Sequence, residues 1–265
     1  MATQSLEEML QIAYSLKEDV HNRHEKLLNQ IGNLEPKTID FDTRIRILNF
    51  LNELEDDLNI GLKKISEIKK SGNEEICIVV QSDDEKNPYI YKTTIIEAYI
   101  YNEYSDIEHT RARLYPPKDK KHYKFLENSI QYKKKAIEVC PKKYPNEKYG
   151  LAYFYFDLGE LYIEKHEPKL ALDAFREFLE LSNPKDKKWR LEASKYIEKL
   201  ESLKIGQKRF TGSLKSLGCG GLIAIIFLIV GVTHLKDDLV PALLSILLSL
   251  IFGGVTALYF FLKRK

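Results

Sequence analysis

Two stretches near the C-terminal end limit what this chain can become more than any other feature in it. Residues 217–235 and 239–262 are 19 and 24 residues long, contain no charged side chain, and are separated only by Lys236, Asp237 and Asp238. A helix rises about 1.5 Å per residue, so either run is long enough to cross roughly 30 Å of hydrocarbon. Burying both in a water-soluble core would need an unusually large apolar enclosure, whereas a bilayer accepts them as a tight helical hairpin. Two transmembrane helices over residues 217–262 are the expectation.

The remainder of the chain has the opposite character. Of the 41 basic and 39 acidic residues, all but those three lie in the other 219 positions. A charged, water-facing part followed by an apolar tail excludes a purely cytosolic protein and a disordered chain. Cys77, Cys140 and Cys219 are widely spaced and form no CxxC pair, which excludes a disulfide scaffold. A net charge of +2 gives no drive toward nucleic acid, and none is expected as a partner. Residues 1–10 carry Glu7 and Glu8 and open an amphipathic pattern, unlike a signal peptide.

Basic residues set the expected orientation. Lys204, Lys208, Arg209 and Lys215 precede the first run, Lys263, Arg264 and Lys265 follow the second, and one lysine sits in the turn. Both ends should face the cytoplasm. So short a turn holds no domain on the far side, which leaves anchoring, assembly or permeation. Ser245, Ser249, Gly253 and Ala257 recur every four residues, and Gly220, Ala224 and Gly231 form a looser small face. Such faces let helix backbones approach, within the hairpin first and between copies as a homo-oligomer second. No Asp, Glu, Lys or Arg lies inside either run, and His234 sits at the edge of the turn, which disfavours a pore. Residues 206–216, with Gly212 and Ser213 among basic side chains, read as a flexible tether over the headgroups.

Upstream, apolar residues recur at helical spacing. Met9, Leu10, Ala13, Leu16, Val20, Leu27, Leu28, Ile31 and Leu34 predict a first helix, with Gly32 and Pro36 near its end as stop signals. Ile45, Leu48, Leu51, Leu58, Leu62 and Ile65 predict a second, from about Phe41 to the Ser71-Gly72-Asn73 cap. Residues 76–80 are a β-branched run that periodicity does not assign to strand or helix. Further helices are predicted over about 91–114, stopped by Pro116-Pro117, and about 123–140, stopped by Pro141 and Pro145. No segment alternates strongly enough to found a sheet. The fold class expected is all-α, built of antiparallel helical hairpins.

The most informative pattern is Tyr155-x2-Leu158-Gly159-x2-Tyr162, then Ala171-x3-Phe175 and Pro184. It resembles the tetratricopeptide repeat (TPR), with tyrosine in place of the first aromatic. Adding the period of 34 residues to Tyr155, Gly159 and Tyr162 lands on Trp189, Ala193 and Tyr196, again aromatic, small and aromatic. Subtracting it lands on Lys121, Phe125 and Asn128, which do not match. The resemblance covers about residues 151–203 and implies two close-packed helices turned at His166-Glu167-Pro168, then a closing helix over the last apolar face. In this family the first helix of a pair lines a groove for a peptide. The resemblance therefore implies Tyr153, Phe156, Asp157 and Glu160 as partner-binding residues, an aromatic and acidic face suited to apolar or basic segments. The competing reading packs Tyr153 and Phe156 against a neighbouring helix.

Chemistry is hard to find. No G-x-x-x-x-G-K-[ST], G-x-S-x-G, H-E-x-x-H or G-x-G-x-x-G occurs. Glu18-x-x-His21 and Asp106-x-x-His109 place a carboxylate and an imidazole on one helical face, as di-metal bundles require. The second pair has Asp for the usual Glu, and His24 lies nearer the apolar stripe, so solvated faces and a core-edge histidine are expected. Cys140 reads as a small buried residue, and Lys118–121 and Lys133–135 as solvated basic runs. No catalytic residue, cofactor or metal is expected.

The domains expected are an N-terminal helical region 1–117, a TPR-like region 118–205, the tether 206–216 and the membrane hairpin 217–262. The function expected is a non-catalytic, membrane-anchored scaffold whose cytoplasmic domain binds a protein or peptide while the hairpin holds it at the bilayer. The alternative is a self-assembling membrane effector whose helical domain senses or oligomerises.

Overall fold

A computed structural model describes residues 4–32, 34–72, 76–80, 89–140 and 145–202. The tether, the hairpin and its small-residue faces lie outside the described residues. Among the described residues no helix is long and apolar enough to cross a membrane. The described residues up to Glu198 hold together as one compact unit.

That unit is built almost entirely of helices: α1 (Leu6–Ile31), α2 (Phe41–Lys70), α3 (Thr93–Arg113), α4 (Lys120–Val139), α5 (Pro145–Glu164), α6 (Pro168–Leu181) and α7, which begins at Lys187. Local chemistry fixes the ends. The Ser5 hydroxyl accepts from the Glu8 amide at 3.1 Å and the Glu8 carboxylate accepts from the Ser5 amide at 3.1 Å, which closes a capping box on α1. Asp40 caps α2 by accepting from the Thr43 amide at 2.8 Å. Gly72, at φ 81°, takes the left-handed conformation just past the end of α2. Pro145 opens α5, where its missing donor costs little, although the sequence pattern made it a stop for the preceding helix.

Consecutive helices pack as pairs, α1 with α2, α3 with α4 and α5 with α6, and the pairs are joined through α3 and α4. Fourteen of the 21 residues of α3 are buried, which makes it the central helix. Its buried polar side chains each meet a partner. The Arg111 guanidinium donates to Glu55 at 2.6 Å and Asn52 at 2.7 Å on α2 and pairs with Glu108, Lys69 pairs with Glu97, and the Ser105 and Ser129 hydroxyls are 3.0 Å apart. Buried polar groups are mostly satisfied in this way, and the exception on α3 among the described residues is Glu103 Oε2, which has no partner although Oε1 meets His21. The first apolar core joins α1, α2 and α3 through Leu10, Leu51, Leu54, Leu58 and Ile100, and the next joins α3, α4 and α5 through Ala98, Ala136, Leu151 and Phe154.

One element departs from the all-helical expectation. Cys77–Val80 (β1) pairs antiparallel with Tyr89–Lys92 (β2), with Cys77 opposite Lys92 and Val80 opposite Tyr89. Tyr91, expected at the start of α3, is thereby drawn into a strand. Ile78 anchors the ribbon in the core at 6% exposure, while the facing pair Val79 and Ile90 point outward.

Candidate partner-binding surface

All four expected partner-binding residues lie on α5, which packs with α6 and α7. Gly159 and Ala171 let α5 and α6 approach closely: a Cβ on Gly159 would stand 2.8 Å from the Phe175 ring. His166, at φ 62°, makes the turn between them, and Pro168 begins α6. The face that α5 turns away from α4 is then covered by α7. Phe156 is 1% exposed and packs edge-on against Phe175, Phe178 and Trp189 at centroid distances of 5.4, 5.2 and 5.1 Å. Its ring is thus part of the aromatic core, not of an open groove.

The other three residues keep surface. The Tyr153 ring lies 5.9 Å from Trp189, and its hydroxyl donates to Asp186 at 3.3 Å. The Glu160 carboxylate, exposed, accepts from the Tyr196 hydroxyl at 3.2 Å. Asp157 faces the opposite way and accepts from Lys133 on α4 at 3.0 Å. Tyr153, Glu160 and the half-exposed Trp189 therefore form an aromatic and acidic rim along the α5–α7 seam.

Lys133 is the residue the sequence pattern misplaces. Its side chain is 0% exposed, while Lys134 and Lys135 are exposed as expected. The ammonium donates to Asn102 at 2.6 Å, Asp157 at 3.0 Å and Asp106 at 3.1 Å, all three of its donors satisfied. Burial alone would lower its pKa, but the two aspartates overcome this and raise it, so the lysine remains charged. A signal was present: Leu126, Ser129, Ile130, Lys133 and Ala136 follow one helical stripe, and all are buried.

A second polar constellation lies between α1 and α3, in a cleft of about 330 Å3 lined by His21, His24, Glu103, Asp106, His109 and Arg113 among others. His21 and Asp106-x-x-His109, singled out by spacing, do converge here, but Glu18 turns instead to Lys17 at 2.9 Å. His21 Nδ1 lies 3.1 Å from the buried Glu103 carboxylate, and that hydrogen bond raises the histidine pKa. His24, 3% exposed and 2.9 Å from the Thr110 hydroxyl, is lowered by burial. Burial alone would raise Glu164, but the hydrogen bond from His109 and the nearby His109 and His122 hold it below its ordinary value. Among the described residues no group of three or more His, Cys, Asp or Glu side chains is placed to hold a metal ion. Cys140 is buried, as expected of a small residue without an accompanying histidine motif.

No family model, curated protein or solved structure matches the chain.

Proposed function

We infer that the chain is a membrane-anchored scaffold: its helical unit binds a protein partner, residues 217–262 hold that partner at a bilayer, and α5–α7 act as a TPR-like module. The observation that carries this reading is the partition of the sequence, with two uncharged runs of 19 and 24 residues following a densely charged helical region. The close approach at Gly159, the turn at His166 and the covering of α5 by aromatics from α7 support the module. Tyr153 and Glu160, beside Trp189, supply the aromatic and acidic chemistry that a basic or apolar segment would meet, while Asp157 is turned to Lys133 on the other side of α5. Phe156 contributes from beneath by fixing Trp189.

The test is the mass and composition of the full-length particle, gently extracted from its native membrane. A stoichiometric second protein supports the scaffold. A large particle holding this chain alone replaces it with a self-assembling effector, and recovery of the full chain from the soluble fraction removes the membrane anchor.

A further inference from the structure

At the far end of the unit, the connection between α1 and α2 carries an open apolar groove whose charged lining residues are all basic. Its volume is about 620 Å3, and it lies between the last turns of α1 and the first turns of α2. Leu27 and Ile47 are its buried floor, with Ile31, Leu34 and Phe50 above them. Leu34 is 43% exposed, and on the same tip Phe41 and Ile45 are exposed as well. Exposed large apolar residues gathered at one place mark an interaction surface, whereas scattered ones need no explanation.

The rim supplies the second observation. Arg23, Lys26 and Arg46 line the groove and no acidic residue does. Arg23 is already neutralised by Asp19 at 3.0 Å and Asp57 at 2.8 Å, its guanidinium lying over the Phe50 ring. Lys26 and Arg46 are exposed and have no ion pair among the described residues, Arg46 donating to the Thr43 hydroxyl at 3.1 Å.

We propose that this groove binds an amphipathic helix of a partner protein whose apolar stripe is flanked by aspartate or glutamate. A helix seats apolar anchors at i, i+3, i+4 and i+7 in such a groove. Acids beside the stripe would meet Lys26 and Arg46, which gives the site a charge preference and fast encounter. The chain's own tether, with Lys208, Arg209 and Lys215, has the wrong sign to occupy it. Glu35, Asp40 and Asp42 share the tip but do not line the groove, and a bilayer contact is one outcome of the test. This site is separate from the α5–α7 seam and does not depend on how the chain is anchored.

The experiment titrates the full chain, held in phosphatidylcholine nanodiscs, with a fluorescent peptide of about five helical turns bearing a leucine stripe flanked by glutamates. The control peptide carries lysines at the glutamate positions. Saturable binding of the acidic peptide is expected, about tenfold weaker for the lysine peptide and for the Lys26→Glu/Arg46→Glu variant. Residues 27–50 should gain protection from hydrogen exchange when the acidic peptide is added. Should charge reversal perturb the fold, Leu34→Ser, on an exposed side chain, reads the same loss. Equal binding of the two peptides, indifference to these substitutions, or no binding at about 100 μM overturns the proposal. Protection of the same residues by phosphatidylserine nanodiscs without peptide overturns it in favour of a membrane contact.

Discussion

Lys133 and Asp157 meet at 3.0 Å across the seam between α4 and α5, the lysine side chain fully enclosed and the aspartate 44% exposed. The asymmetry decides what either substitution does. Removing one partner of a buried pair costs most when the charge left behind has no water to return to.

Asp106→Asn with Asp157→Asn should therefore destabilise the unit by about 3–5 kcal/mol, because it strands the enclosed ammonium with neutral partners only. Lys133→Met should cost clearly less, since both aspartates reach solvent. Urea unfolding of the three proteins gives the order, and the reverse order would mean that Lys133 is not enclosed.

Gly159→Ala should cost about 1–3 kcal/mol, because the new methyl would press on Phe175, which is 0% exposed and stacked on Tyr196 at 4.8 Å. Gly61→Ala is the contrast. There the one tight contact of the methyl is the far end of the Ile100 side chain, at 3.1 Å, with the Ala13 backbone at ordinary distances of 3.8 and 3.9 Å, so the helical preference for alanine should leave stability unchanged or raised. Thermal melts of both variants separate the two cases.

Phe156→Ala should lower stability by about 3–5 kcal/mol, as expected for an aromatic side chain in a packed core. Glu160→Ala, on an exposed side chain, should change it by less than about 1 kcal/mol. Equal, small effects would restore Phe156 to an open groove.

The two histidines of the α1–α3 cleft should act on stability with opposite sign. His21 is raised above the ordinary 6.5 by Glu103, so its contribution is complete below pH 6.5 and is lost as pH rises through the folded-state value. His24 is lowered from 6.5 by burial, despite Asp106 and Glu103 nearby, so its contribution is present above pH 6.5 and is lost as pH falls through its folded-state value. Unfolding free energies followed from pH 5 to 8 should flatten on the alkaline side in His21→Asn and on the acid side in His24→Gln, if the second folds.

Much of the helical layout is legible from spacing alone. α1 and α2 end where glycine, proline and the Ser71-Gly72 cap indicate, because caps and periodicity are local signals. What escapes depends on partners distant in sequence. Tyr91 has the makings of a helix start until Cys77–Val80 pairs with its strand. Lys133 looks like one of three solvated lysines until the aspartates of α3 and α5 close over it. Phe156 illustrates the limit best. Its helix reads correctly, yet which face stays open is decided by Trp189 and Tyr196, residues flagged only for their period.

The enclosed lysine also has a use outside energetics. Residues 133–135 offer three identical amines in a row, of which native packing hides the first and leaves the next two in contact with solvent. An amine-reactive label applied to the folded protein would therefore mark Lys134 and Lys135 and skip Lys133. The seam between α3, α4 and α5 thus carries its own chemical clock, in which the rate at which Lys133 becomes modified records how often that seam opens.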